Sequence, residues 1–324
     1  MVLGRRRFLH ALAGATALPA LPRAACAADY PTRPVHIIAG YAPGAGPDVV
    51  GRLAAHWLSQ RLNQQFIVDN RPGAASNIGT EIAAKSAPDG YTLCVAVSTN
   101  VVNATLYPNL NFNFARDLVP VVFIGGTPFV IAANPAFPAQ TVPEFIAYAK
   151  ANPGKINYAT SGVGTGPHVS AELLRMMTGI DIVHVPYRGN WVTDVLAGTV
   201  PIAFGPMPQV IEFIKDGRLR AIAVTPPNRW DALPQVPALA EFVPGYASSG
   251  WYSLTAPRST PDAIIARLHD EMNAGLTDPT FRQRLLTIGV APRPMTTAEF
   301  GQFIADEIAK WAKVIKFAEL KPAG

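Results

Sequence analysis

Short apolar, β-branched runs alternate with amphipathic helical patterns along almost all of this 324-residue chain, and that alternation limits the fold more than any single motif does. Strands are expected at Val35–Ala39, Phe66–Asp69, Thr92–Val97, Val121–Ile124, Phe129–Ala132, Ile156–Ala159, Ile182–Val185, Ile202–Phe204, Ala221–Val224 and Trp251–Ala256. Between most of them the spacing predicts helices. Val49–Leu62 puts Val49, Val50, Leu53, Trp57 and Leu58 on one face. Thr141-x-x-Glu144 opens Val142–Lys150 as a capping box, and Gly179 stops His168–Met177. Strands followed by helices form α/β layers with mostly parallel sheets, and this length suffices for two ordinary domains. No internal repeat is evident.

The C-terminal segment departs from the pattern. Pro261–Leu276, Pro279–Ile288 and Ala298–Leu320 read as helices with only a short extended piece between them. Thr296-x-x-Glu299 caps the last, whose stripe is Phe300, Phe303, Ile304, Ile308, Trp311 and Ile315. Helices with no sheet of their own pack on an earlier one, so the C-terminus is expected to return to the first domain. The second domain is then an insertion with two chain crossings, and hinges are expected near Gly125–Thr127 and Ser249–Gly250.

The chain opens on "MVLGRRRFLHALAGATALPALPRAACAADYP". Arg5-Arg6-Arg7-Phe8-Leu9 fits the twin-arginine export pattern, and Ala25-Cys26-Ala27 fits a cleavage signal. Residues 1–27 are therefore expected to be a signal peptide. Their removal takes four arginines and leaves 23 basic against 22 acidic residues. A chain so nearly neutral has no electrostatic support for nucleic-acid binding. Cys94, within an apolar run, then has no cysteine partner and reads as a buried strand residue. The long uncharged stretch from Leu118 to Pro143 contains five prolines and Gly125-Gly126, which rules out one spanning helix and suggests two strands and a turn.

The chemistry lies in loops that join strands to helices. Tyr41-Ala42-Pro43-Gly44-Ala45-Gly46-Pro47-Asp48 fails the P-loop pattern for want of Gly-Lys-Ser/Thr, and fails the dinucleotide fingerprint by its glycine spacing. It has backbone N–H groups at a helix start, where an anion is held without any special side chain. A tight turn ahead of a capped helix explains the same residues. Asp48 and Arg52 have ion-pair spacing. Ser161-Gly162-Val163-Gly164-Thr165-Gly166-Pro167-His168 follows the same logic: Thr165 offers a hydroxyl, and His168 stands in the first turn, packed and neutral or touching a ligand. Asn70–Asn77 and Ser98-Thr99-Asn100 are two further loops, and all of them gather at one sheet edge in a parallel arrangement.

Enzyme readings fail on their parts. There is no Gly-x-Ser-x-Gly elbow and no H-E-x-x-H, the six histidines lack metal spacing, and Ser161 with His168 has no orienting acid. Neither catalysis, a metal nor a cofactor is expected.

Six segments resemble a known family: "YPTRPVHIIAGYAPGAGPDVVGR", "VDNRPGAASNIGTEIAAKSAPDGYTL", "VPEFIAYAKANPGKINYATSGVGTGPHVSAELL", "HVPYRGN", "RLRAIAVTPPNRWDALPQVPALAE" and "FIADEIAKWAKVIKFAEL". Together, in this order, they look like the periplasmic solute receptors of the tripartite tricarboxylate transporters, also called Bug receptors. The resemblance implies an α/β, type II periplasmic-binding-protein fold: two α/β lobes with a ligand cleft between them. It implies lobe 1 at 28–126 and 250–324, lobe 2 at 127–249, a small organic carboxylate as ligand, membrane transporter subunits as partners, and a monomer. The implied ligand-binding residues are Tyr41, Gly44, Ala45, Gly46, Asp48, Asn77, Ser98, Thr99, Ser161, Thr165, His168, Gly205 and Pro206. The chain departs from the pattern at Ala75-Ser76, at Asn100, at Gly205-Pro206 where the family often has an aspartate, and at a shortened stretch that brings in Trp191. Loss of that aspartate removes a partner for a ligand amine. Arg188 is the candidate for a charged clamp. A ligand sensor without transport, or an esterase, are the other functions this sequence could serve.

Overall fold

The computed structural model describes residues 30–187 and 190–322. The expected signal peptide and Arg188 lie outside the described residues. Every described strand and helix belongs to one unit, which begins at Pro31. The chain runs β1 (Val35–Ala39), α1 (Gly46–Leu62), β2 (Phe66–Asn70), α2 (Asn77–Ala84), β3 (Thr92–Val97), α3 (Ser98–Leu106), α4 (Phe114–Asp117) and β4 (Leu118–Thr127). It continues with β5 (Phe129–Ala133), α5 (Val142–Ala151), β6 (Asn157–Thr160), α6 (Gly166–Thr178), β7 (Val183–Pro186), α7 (Val192–Leu196), β8 (Ile202–Pro206), α8 (Ile211–Lys215) and β9 (Arg220–Val224). It ends with β10 (Gly250–Pro257), α9 (Asp262–Thr277), α10 (Pro279–Thr287), β11 (Ala291–Pro292) and α11 (Thr297–Phe317).

Two sheets result, in the strand orders β11–β4–β10–β3–β1–β2 and β7–β6–β8–β5–β9. Pairing is mixed where mostly parallel sheets were expected. β1 runs parallel to β2 and β3, and β6 parallel to β7 and β8. β10 is antiparallel to β3 and β4, and β5 antiparallel to β8 and β9. β4 and β5 flank the first passage of the chain between the sheets, and β9 and β10 flank the second. The two crossings lie side by side, with Gly250 opposite Thr127 and Trp251 opposite Gly126.

The stretch from Leu118 to Ala133 corrects the sequence reading. Gly125-Gly126 is strand, not turn, and the change of sheet takes place at Pro128. Pro120 is tolerated inside β4 because the ladder to β10 shifts register there, and a bulge needs no N–H from that residue.

Helix α1 also differs. It begins at Gly46 rather than Val49, with Pro47 in the first turn where its missing N–H costs nothing. Its buried face is Val50, Gly51, Ala54, Ala55 and Leu58, and the small Gly51, Ala54 and Ala55 let the helix lie close on the sheet. Val49, Leu53 and Trp57 are only half-buried. Trp57 instead reaches α9, where its indole N–H donates to the Glu271 carbonyl at 2.7 Å.

Both expected capping boxes form, with Thr141 and Glu144, and Thr296 and Glu299, bonding reciprocally. Helix α11 packs on α3 and β4 of the first sheet layer, and also touches α6. Lys310 of α11 donates to the Ala247 carbonyl at 3.0 Å, just ahead of the second crossing. One hydrophobic cluster runs without a break from Val101 and Phe123 to Phe145, Tyr158 and Leu173. Cys94 is buried in β3, and burial pushes its thiol up to about 12. No described helix is long and apolar enough to cross a membrane.

Candidate ligand-binding site

The loops after β1 and β6 are the same structure built twice. Gly44 has φ +83° and Gly164 has φ +74°, a left-handed conformation that glycine adopts without strain. Ala45 follows at φ −70°, ψ 157°, and Thr165 at φ −71°, ψ 158°. The Ala45 N–H bonds the Ala42 carbonyl, and the Thr165 N–H bonds that of Gly162. Val49 N–H reaches Ala45 O, and Val169 N–H reaches Thr165 O, both at 3.0 Å. The sequences Gly44-Ala45-Gly46-Pro47-Asp48 and Gly164-Thr165-Gly166-Pro167-His168 thus share one conformation. The repeat is conformational and leaves little mark in the sequence, because only the glycines and the proline are common to both loops.

Each turn is fixed by the side chain of its last residue. Asp48 Oδ2 accepts the Gly44 N–H at 2.8 Å, and His168 Nδ1 accepts the Gly164 N–H at 3.0 Å. The remaining N–H groups of the first helical turn, at Gly46 and Asp48 and at Gly166 and His168, meet no acceptor among the described residues. Proline at 47 and 167 has no N–H to offer. Each loop therefore presents two backbone donors at the positive end of a helix.

The Asp48 carboxylate is fully engaged. Arg52 Nε and Nη2 and Asn70 Nδ2 also donate to it, and Asn70 Nδ2 further holds the Tyr41 carbonyl at 3.0 Å. Burial alone would raise this carboxyl. Arg52, the Gly44 N–H and Asn70 outweigh burial and hold it below the usual carboxylate range. His168 is 3% exposed and stacks on His184 with ring centroids 3.7 Å apart. Burial, then the His184 and Arg175 charges, depress its pKa to about 3, so the ring is neutral and Nδ1 is free to accept. Glu172 stands four residues on, 3.7 Å from Nε2, and bonds Tyr158 and Arg175 instead. Both side chains shape their loops from below, and what they leave toward the loop surface is backbone.

Around the first loop stand hydroxyl groups. Tyr41 neighbours Thr99, and burial raises its phenol. A Cβ built on Gly46 would lie 2.4 Å from the Tyr252 hydroxyl, so the phenol rests on the Gly46 backbone. Tyr252 carried no sequence signal, since it arrives on β10 from the far end of the chain. Around the second loop, a Cβ on Gly166 would lie 2.5 Å from the Phe129 ring, and one on Gly164 would lie 2.5 Å from Leu106 of α3. Helix α3 thus meets the first loop beside Thr99, near its start, and the second at its last residue.

The other expected residues fall in place unevenly. Asn77 is buried; its Oδ1 accepts from Asn103, while its Nδ2 is buried without a partner among the described residues. Ser98 is the buried first residue of α3, rather than a loop residue, and Ser161 is exposed after β6. The Thr165 hydroxyl donates to Gly162 O at 2.8 Å, within its own loop. Asn100 points inward, accepting from Val97 N–H and donating to Thr80. Gly205 is buried under Trp191, with a Cβ at Gly205 falling 2.2 Å from the indole, and Pro206 is half-buried at the end of β8. Two surface hollows, of about 380 Å³ beside Tyr107 and about 480 Å³ between Trp191 and Phe213, include none of the paired-loop residues. No group of three His, Cys, Asp or Glu among the described residues is arranged to hold a metal.

The model of the tripartite tricarboxylate transporter family receptor matches residues 50–320. Protein BugT of Bordetella pertussis is 36% identical over 292 residues, covering 89% of this chain and 90% of BugT. The structure of R. palustris Rpa4515 with adipate superposes with a TM-score of 0.78 at 32% identity, covering 91% of this chain and all of that one. MatC of Rhodopseudomonas palustris with bound malate gives 0.73 at 27% identity, covering 88% of this chain and all of MatC. The two-lobed α/β fold of these receptors is the fold of this chain, which belongs to the tripartite tricarboxylate transporter receptor family.

Proposed function

We propose that this receptor, exported by a twin-arginine signal at residues 1–27, closes on a small organic carboxylate and delivers it to a tripartite membrane transporter. The observation that carries this reading is the pair of identical turns, each with two unpartnered backbone N–H groups at a helix start. Such donors suit a carboxylate, and four of them from two loops suit an acid with acceptors at both ends. Adipate and malate, named with two structural relatives, are acids of that kind.

In this reading the lobes are 28–126 with 250–324, and 127–249. Ligand contact falls to Tyr41, the exposed backbone of Gly44–Gly46, Ser98, Thr99 and Ser161, and to the N–H groups of Asp48, Gly166 and His168. Thr165, Asn77, Gly205 and Pro206 shape the walls. The paired crossings at Gly250 and Thr127 act as the hinge.

Native mass spectrometry of protein purified from the periplasm tests the reading. The expected result is a mass beginning at residue 28 with a small acid bound, or uptake of adipate or malate when either is added. Protein that takes up no small acid overturns it.

A further inference from the structure

The geometry points to Tyr252 as a ligand-orienting hydrogen-bond donor of the first loop, and to a site that admits acids but refuses those carrying an ammonium group. The inference rests on the carboxylate reading and deepens it.

Tyr252 lies on β10, two residues past the crossing at Gly250. Its hydroxyl sits on the backbone of Gly46, one of the two loop residues whose N–H is unpartnered, and makes no hydrogen bond with a described residue. A phenol that rests on the Gly46 backbone and has no acceptor among the described residues has its O–H free for a ligand held at this loop. Burial, then the neighbouring Tyr41, pushes the Tyr252 phenol up to about 12, so it stays a neutral donor at any physiological pH. Tyr41 is likewise held neutral. The group thus offers donors and no charge.

Selectivity follows from the one acid in these loops. Asp48 is the only carboxylate in 41–48, 70–77, 98–100 and 161–168. Both its oxygens are taken, by Arg52, Asn70 and the Gly44 N–H, and it is 2% exposed. A ligand ammonium brought here finds no counter-ion, and a buried charge without a partner is strongly disfavoured. Malate and aspartate form a matched pair for this question, because they differ in a hydroxyl against an ammonium.

Calorimetric titration of wild type and Tyr252→Phe with malate, adipate and aspartate tests both halves, with near-ultraviolet difference spectra to report tyrosine directly. Wild type is expected to bind malate or adipate and to bind aspartate on the order of a hundredfold more weakly or worse. Binding should perturb tyrosine absorption, and Tyr252→Phe should weaken it roughly tenfold with part of that spectral change lost. The melting temperature of the unliganded variant should match wild type, which separates a lost donor from lost packing. Undiminished binding by Tyr252→Phe overturns the role of Tyr252 alone, and aspartate bound as well as malate overturns the selectivity alone. A wild type that takes up none of the three overturns the carboxylate reading, and this inference with it.

Discussion

Asp48 and His168 are counterparts: each is the residue after Gly-Pro in its loop, and each accepts the N–H of the glycine four residues before it. Their environments are reversed. Asp48, an acid, is followed at four residues by Arg52; His168, a base, is followed at four residues by Glu172. One conformation is held by an anionic acceptor in the loop after β1 and by a neutral acceptor in the loop after β6.

The first prediction concerns those acceptors. Asp48→Asn keeps an oxygen for Gly44 but loses the charge that gathers Arg52 and Asn70. It should destabilise the protein by about 1.5–3 kcal/mol, the range for a charged hydrogen bond, as read by urea denaturation. Since the side chain does not face the ligand in this reading, affinity measured on folded protein should change less than about threefold. A large loss of affinity at unchanged stability would show that Asp48 touches the ligand.

The histidine pair makes stability depend on pH. His168 titrates at about 3 and His184 at about 4 when folded, against 6.5 for the unperturbed ring. Between these values the unfolded chain binds protons that the folded chain refuses, so stability rises with pH. The full contribution is present above about pH 6.5 and is lost as pH falls toward 4. The slope in that window is about 1.4 kcal/mol per pH unit for each histidine. His184→Gln should remove one of the two protons from the slope. Melting curves from pH 7 to 4.5 with an unchanged slope in that variant would contradict the assignment.

The elements were readable where local chemistry decides them. All ten expected strands are present within a residue or two except at β4, because β-branched runs and flanking turns act locally. The turn at Gly44 was readable too, since proline, two glycines and a helix start are consecutive in sequence. What was not readable depends on residues distant in the chain. Tyr252 reaches Gly46 only because β10 returns beside β3, and Trp57 leaves the expected core stripe only because α9 lies beside α1. Thr165 looked like a free hydroxyl because its acceptor is a backbone carbonyl that carries no sequence mark.

Backbone strain is stored at the third loop. Ala74, Ala75 and Ser76 have φ of 46°, 53° and 76°, three successive left-handed residues with side chains. Ala75 is exposed, so its methyl group adds strain without compensating contact. Ala75→Gly should raise stability by about 0.5–1 kcal/mol, the strain relieved being partly offset by the greater freedom of glycine when unfolded. Ser76→Gly should gain less, because the Ser76 side chain fills the space beside Gly40. Thermal melts of the two variants give the order directly.

Gly205 and Trp191 form one unit. A Cβ at 205 would lie 2.2 Å from Cζ2 and 2.4 Å from Cη2 of an indole that is 2% exposed. Gly205→Ala must displace the ring and should cost about 1–3 kcal/mol, the usual range for overpacking. Tryptophan emission should shift to the red as the ring meets water. Trp191→Leu should remove most of that cost in the double variant. Additive costs in the two single variants would mean that they do not compete for the same space.

The two glycines ahead of the prolines should differ although their backbones match. At Gly46 a new methyl group meets the outer end of Tyr252, with the hydroxyl at 2.4 Å and the nearest ring carbon at 3.2 Å. At Gly166 it meets the Phe129 ring at 2.5 and 2.9 Å, and that ring is buried and close enough to Gly250 that a Cβ there would lie 3.2 Å from it. A side-chain tip can swing aside, whereas a buried ring with two glycine backbones close to it has little room to do so. Gly166→Ala should therefore destabilise by about 2 kcal/mol or more, and Gly46→Ala by less than about 1 kcal/mol. Their effects on binding should run differently, because the methyl group of Gly46→Ala pushes the Tyr252 hydroxyl away from the first loop. It should weaken acid binding roughly tenfold in folded protein. Adding Tyr252→Phe should leave that affinity no worse, since the donor is already displaced, while restoring any lost stability. A double-mutant cycle in melting temperature and in calorimetric affinity measures both couplings. Independent, additive losses of affinity at 46 and 252 would mean that the phenol and the loop backbone do not act on the same ligand atom.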